Sequence, residues 1–474
     1  MENAINGYYK LSWRERIGFC SGDLAQNLIY QTVSIWLLFY YNNVYGLDSA
    51  TVAVMFLVVR IIDVIWDPMV GAFVDKSHPR WGKYRSWLII GGIPLAAFAV
   101  LCFWNGFSGS LLYAYVTYVG MSMCFTLINV PYGALGSSLT RDTNEITILT
   151  SVRMIMANLA GLIIKTLPLV IALFAPKVLN KQTGQMEAVY NTPEAGHAWF
   201  ITMSIFALTG LTLLIICFFE SKERIVMDKS ETAEVKVSDL WMELVRNRPL
   251  RVLSFFFVVA FTTMSISNAT DSYFMTFNMK ATPMMTTVFM WLGTIPAFIF
   301  LPMVPAIKRK IGKNGMFRLF LGIAIAAMLL MYLIASIPNL KAYPILFYIV
   351  QFVKSAGVLV ATGYMWALVP EVVTYSEYAS GRRVAGIVNA LICIFMKAGI
   401  ALGGVIPGLV LAWTGFKKGE SIQSPMAEQG ILWLVTLIPA ILFVLAIYII
   451  GKYELTDAKM DEINAAVTNK HIEN

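Results

Sequence analysis

Apolar residues recur along nearly the whole chain in runs close to the length a helix needs to cross a bilayer, about 20 residues each. The pattern predicts an all-α membrane protein with about twelve transmembrane helices. The first predicted spans cover residues 17–45, 49–74, 86–104, 111–139, 146–174 and 198–219. A second set covers 250–278, 286–307, 316–337, 343–369, 384–413 and 431–450. Between them lies the longest polar stretch, 220–249, which carries charge and shows no apolar periodicity before Leu240. It reads as a cytoplasmic linker between an N-terminal half, residues 1–219, and a C-terminal half, residues 250–451. The basic loop after the second span has a counterpart after the eighth, and this points to two parallel repeats. The loop 175–196 and the cytoplasmic tail 452–474 are polar and read as peripheral, without assigned chemistry.

Composition fits that pattern. Of 474 residues, 58% are hydrophobic and 14% charged, outside the balance of a soluble globular protein, and no stretch remains for a sizeable soluble domain. The opening residues lack an apolar core followed by a small-residue cleavage site, so the first span is expected to be the insertion signal. Cys20, Cys102, Cys124, Cys217 and Cys393 each lie within an apolar run, which argues against a disulfide framework.

The formal charge of +8 reports topology rather than a nucleic-acid partner, because the basic residues form no continuous patch. They gather in alternate loops: Lys10, Arg14 and Arg16; Lys76, Arg80, Lys83 and Arg85; Arg141; Arg246, Arg248 and Arg251; Lys308, Arg309, Lys310 and Lys313; Arg382 and Arg383. The positive-inside rule then predicts a multi-pass protein of the cell inner (plasma) membrane with both termini cytoplasmic, which requires an even number of spans.

Ionisable residues inside spans are the most informative, since each costs about 2.5 to 3.5 kcal/mol at a helix centre and needs a partner or a watery cavity. Asp63 and Asp67 are four residues apart and share a helix face, with Arg60 one turn before them. Two carboxylates and one arginine leave that face negative, which suits a Na⁺ or H⁺ site. A structural ion-pair network is the alternative. In the first span, Asp23 is followed at helical spacing by Asn27 and Tyr30, a face of hydrogen-bonding groups and one ring that suits a sugar. Arg153, in the fifth span, offers a planar fork for Asp23 or for a pair of hydroxyls. It lies near its helix end, however, and a snorkelling arginine is the other reading.

Lys397, in the eleventh span, is too far from either end to reach water and is expected to face the cavity, where it can balance Asp63 and Asp67. Lys354 and Asp271 are weaker candidates, explicable by a local pair or by nearness to the surface. The glycines Gly399, Gly403 and Gly404 read as places of close helix contact. His78, His197 and His471 fall in loops or the tail, so no metal-dependent intramembrane hydrolase can be assembled from them.

The segment RIIDVIWDPMVGAFVDKSHPRWGKYRSW resembles the signature of the glycoside, pentoside and hexuronide cation symporters, the group of melibiose permease within the major facilitator superfamily. The resemblance extends through NVPYGALGSSLTRDT and WALVPEVVTYSEYASGRRVAG to FMKAGIALGGVIPG, and so touches both halves. It implies the major facilitator fold, two six-helix halves working by alternating access. Asp63 and Asp67 then match the cation-site carboxylates, Asp23 and Arg153 the residues that bind glycosyl hydroxyls, and Lys397 the lysine near the cation site. Asp75, Arg80, Lys83 and Arg85 fall in what looks like the superfamily's inner gating loop. Asn129 stands where melibiose permease has an aspartate serving sugar and cation, and Gly133 where it has a tryptophan. The first difference favours H⁺ over Na⁺, and the second implies a differently shaped sugar site. Asn129, Trp366 and Cys393 join the candidate substrate-binding positions.

The expected function is therefore cation-coupled symport of a sugar, glycoside or uronide by a functional monomer in a lipid bilayer, with no cofactor beyond the coupling ion. The nearest rival is a carrier of another amphipathic solute such as a lysophospholipid, since distant relatives keep the acids and the lysine. A membrane enzyme or non-transporting sensor needs a catalytic cluster or soluble domain that the sequence lacks.

Overall fold

The computed structural model describes residues 10–77, 79–140, 143–179, 186–224, 237–380, 385–418, 420, 422–456, 459–460, 462–463 and 466. Hydrocarbon offers no hydrogen-bond partners, so a spanning segment must satisfy its own backbone, and the apolar runs are helical. Among the described residues, ten helices are long and apolar enough to cross a membrane. Two more elements make the series consistent with the twelve read from sequence. Trp13–Tyr40 is 28 residues long and carries a polar ridge, and Ser86–Cys102 is apolar but shorter.

Helix ends follow local chemistry. Ser12 and Glu15 form a capping box at the start of Trp13–Tyr40, and Asn247 accepts from the Leu250 amide at 2.9 Å to start Arg248–Tyr273. Several long runs are interrupted. The eighth is split into Pro283–Leu292, Ile295–Phe300 and a continuation ending at Gly312, whose φ of 71° separates it from the ninth. The first and seventh helices both finish in a π-helical turn, Tyr41–Tyr45 and Phe274–Asn278. The same irregularity at the same place in each half agrees with duplication.

The chain divides into two compact units. One comprises Met1–Thr232 with Ala281–Thr287 and Phe416–Gln423; the other comprises Ala233–Lys280, Val288–Gly415 and Ser424–Asn474. In the first, Trp36, Phe39, Tyr40, Phe103 and Trp199 form a buried aromatic cluster. The polar loop 175–196 has regular structure of its own. It holds a two-stranded antiparallel hairpin, Lys177–Leu179 with Met186–Ala188, and the Trp199 indole donates to the nearby Tyr190 carbonyl at 2.8 Å. Strands of three residues are too short for alternation to reveal them.

Within the stretch 220–249 the helix Val237–Arg246 forms, and Leu244 packs against the second unit's core. One correction concerns the segment after Lys452, which is not peripheral: Tyr453, Leu455, Met460 and Ile463 are buried in that core. Four apolar residues scattered through a polar tail give no periodic signal, and only the groove they fill identifies them. The glycine reading holds for two positions. A Cβ on Gly399 would lie 2.6 Å from the Val258 carbonyl, and one on Gly403 2.4 Å from Ser265 Cβ. Arg248–Tyr273 and Ala385–Trp413 thus meet nearly backbone to backbone.

Gly403→Val is expected to cost about 1 to 3 kcal/mol by overpacking this contact, read as a lowered Tm of the purified protein in detergent; an unchanged Tm contradicts the close packing.

Candidate solute and cation sites

Asp23 is the hub of the first constellation. Arg153, on Thr143–Ile164, donates from Nε to Asp23 Oδ2 at 2.6 Å and from Nη2 to Oδ1 at 3.3 Å. This is a forked, charge-assisted pair. The Tyr132 hydroxyl lies 2.7 Å from Asp23 Oδ2 and 3.0 Å from the Phe19 carbonyl, so two acceptors compete for its one proton. Gly22 makes room for this approach, since a Cβ there would come within 2.5 Å of the Tyr132 ring. The guanidinium also lies over the stacked rings of Tyr132 and Phe19, 5.1 and 5.8 Å from their centroids. Of the two readings of Arg153, the pair with Asp23 is the one observed, and its side chain keeps 34% exposure. Asn27 turns back on its own helix, donating to the Asp23 carbonyl at 2.8 Å and accepting from Gln31 at 2.8 Å.

The second constellation lies between Ser49–Lys76 and Leu111–Leu139. Arg60 Nη1 donates to Asp63 Oδ2 at 2.9 Å, and the Ser122 hydroxyl donates to Asp63 Oδ1 at 2.6 Å. One turn further on, the Thr126 hydroxyl donates to Asp67 Oδ1 at 2.9 Å. Tyr30 belongs to this group, stacked on Phe125 at 4.2 Å with the Arg60 guanidinium 5.7 Å from its ring. Sequence reasoning missed Ser122, Thr126 and Tyr132. For the first two a signal existed, because their spacing of four residues repeats that of Asp63 and Asp67 and marks two facing stripes.

Asn129 is exposed on the fourth helix, three residues beyond Thr126. Lys397, half-buried on Ala385–Trp413, belongs to the second unit, as do exposed Cys393 and Trp366, whose ring meets Phe257 edge-on at 4.9 Å. Lys354 and Asp271 form the local pair that was one explanation for them: Nζ is 3.6 Å from Oδ1, and Gln351 donates to Oδ2 at 3.0 Å. In the loop after the second helix, the side chain of Asp75 lies outside the described residues; Arg80 is exposed, and Lys83 and Arg85 are half-buried.

Two helical units carry ion-paired acids and bases on helices of membrane-spanning length, the architecture of a polytopic membrane protein. The solved structure of the nucleoside transporter NupG has the same fold, superposing with a TM-score of 0.61 over 93% of this chain and 100% of its own at 12% identity. The sequence narrows the class further. Residues 18–457 match the family of MFS/sugar transport proteins, and the chain belongs to that family. It is 41% identical over 467 residues to an uncharacterized symporter, YnaJ, of Bacillus subtilis, covering 97% of this chain and 96% of that protein. It is 30% identical over 466 residues to a glucuronide carrier protein homolog of Escherichia coli, with coverage of 97% and 96%. The chain is thus a sugar-type transporter with the glycoside-symporter resemblance read from its motifs, and not an enzyme.

Ser122→Ala is expected to lower stability by about 1.5 to 3 kcal/mol, because it strips a hydrogen bond from the buried Asp63 carboxylate; thermal unfolding of the purified variant beside Ser122→Thr measures it.

Proposed function

We propose that this chain is an H⁺-coupled symporter of a sugar, glycoside or uronide, working as a monomer by alternating access in the cell inner membrane with both termini cytoplasmic. The observation that carries the reading is the pair of constellations in one unit: Asp23 with Arg153 and Tyr132, and Asp63 and Asp67 with Arg60, Ser122 and Thr126. The first combines a carboxylate, a forked cation, a hydroxyl and two stacked rings, the inventory that polyol hydroxyls and a sugar's apolar face require. A solute hydroxyl bridging Asp23 and Arg153 would replace their direct contact with two charge-assisted bonds.

In the second, Arg60 and Ser122 donate to Asp63 and Thr126 donates to Asp67, and we assign the coupling ion to these two carboxylates. Asn129 contributes no charge beside them, which leaves fewer anionic oxygens for Na⁺ and favours a proton. A carboxylate pair without its coupling ion resists enclosure in a dry cavity, so ion and solute together make closure easier than either alone. We assign Lys397 a part in ion coupling, and Asp75, Arg80, Lys83 and Arg85 to the inner gate. The name of the glucuronide carrier homolog supports uronides as the first solutes to try.

The test is uptake into proteoliposomes from a panel of labelled glycosides, pentosides and uronides under imposed H⁺ or Na⁺ gradients. Accumulation is expected with the H⁺ gradient and is expected to fall about tenfold or more in Asp67→Asn and Lys397→Ala. Retention in both variants would discredit the coupling assignment. Asp23→Asn is expected to abolish solute binding by the purified protein, and an unchanged affinity moves the solute site elsewhere.

A further inference from the structure

The chain leaving the last helix of the first unit folds back onto the loop between the second and third helices. Glu223, three residues beyond the end of Gly196–Glu220, accepts hydrogen bonds from three consecutive backbone amides. The Lys83 amide reaches Oε2 at 2.9 Å, and those of Tyr84 and Arg85 reach Oε1 at 2.8 and 2.7 Å. These amides lie in the turn immediately before the helix Ser86–Ile90, and a carboxylate that gathers three N–H donors makes a charge-assisted hydrogen bond with each. Gly82 completes the fit. Its φ is +123°, a conformation side chains rarely adopt, and a Cβ there would lie 2.7 Å from Glu223 Oε1.

The residues flanking Glu223 attach the same segment elsewhere in the unit. Glu220 accepts from Arg14 at 2.6 Å, Arg224 pairs with Glu15, and the Arg224 amide donates to the Ser138 carbonyl at 3.0 Å. Residues 220–224 therefore join three elements: the start of the first helix, the end of the fourth, and the loop after the second. The second unit repeats the plan with different atoms. Gly312, at φ +71°, precedes Lys313 as Gly82 precedes Lys83. Lys313 Nζ is 3.3 Å from the carbonyl of Leu455, beyond the last helix, and 2.7 Å from Glu371. In both units the chain leaving the last helix holds the loop that opens with glycine and lysine.

We propose that residues 220–224 form a clasp that fixes this loop to the first and fourth helices, and that Glu223 is a positioning residue for carrier turnover. The loop continues the helix that bears Asp63 and Asp67. If its end is fixed, a change at those carboxylates moves the packed unit; if it is loose, the same change is absorbed in local loop motion. The inference rests on the alternating-access reading above and assigns Glu223 a role that leaves the solute site untouched.

Glu223→Ala is expected to lower the maximal uptake rate about tenfold with KM little changed, and Glu223→Gln, which keeps one acceptor oxygen, to fall between it and the parent. In the purified carrier in detergent, trypsin cleavage after Lys83 and Arg85, mapped by mass spectrometry, is expected to accelerate in Glu223→Ala and to be slow in the parent. The protease readout needs no transport, so it tests the clasp even where no solute on the panel is carried, an outcome that instead counts against the proposed function. Parent-like rates with parent-like protection overturn the proposal. So does a parallel loss of solute affinity and rate, which marks general misfolding; if Glu223→Ala does not accumulate, Glu223→Gln carries both measurements.

Discussion

A charged side chain placed between lipid-facing turns needs a polar partner or a watery cavity, and this requirement organises the interior of the protein. Asp23 finds Arg153, Asp63 finds Arg60, and Asp271 finds Lys354, each at a contact between the residues of one unit or one helix. Such pairs add little stability over well-packed apolar residues, because desolvating two ions offsets most of their attraction. Breaking one is costly, since it strands the other charge. That asymmetry is useful to a carrier: a solute or ion that takes over one partner's contacts can be accommodated where an unaccompanied opening is resisted.

The scaffold presents these charges on elements whose mutual positions are tightly constrained. Glycine allows helices to meet closely at Gly399 and Gly403, and at Gly22 it admits the Tyr132 ring to the Asp23 carboxylate. Hydroxyls do finer work. Ser122 and Thr126 hold Asp63 and Asp67 from a neighbouring helix, so each carboxylate has a defined orientation before any ligand arrives. Beyond the helix ends, the segments following the last helix of each unit return to grip a loop of that unit, so the loops are part of the packed body.

The two units share local details. π-Helical turns end the first and seventh helices, and a glycine of positive φ followed by lysine lies in the loop after the second and eighth. The two units hold these loops with different chemistry. A glutamate carboxylate holds backbone amides in the first unit, whereas a lysine ammonium reaches a backbone carbonyl in the second.

The sequence by itself determined the helical membrane class, the family and the principal ionisable residues. Long apolar runs admit only self-satisfied backbone, and an aspartate or arginine within one is conspicuous because its cost is so high. Spacing along a helix also placed Arg60, Asp63 and Asp67 on one face, since that relation is fixed by helix geometry. Tertiary structure alone decided the partners across helices: Arg153 with Asp23, Ser122 with Asp63, Glu223 with the amides before Ser86. Those contacts join residues 59 to 140 positions apart, and hydroxyls, glycines and backbone amides carry no cost that would make them stand out in the chain. The buried tail residues and the short hairpin were hidden for a related reason, because a few apolar positions acquire meaning only from the surface that receives them.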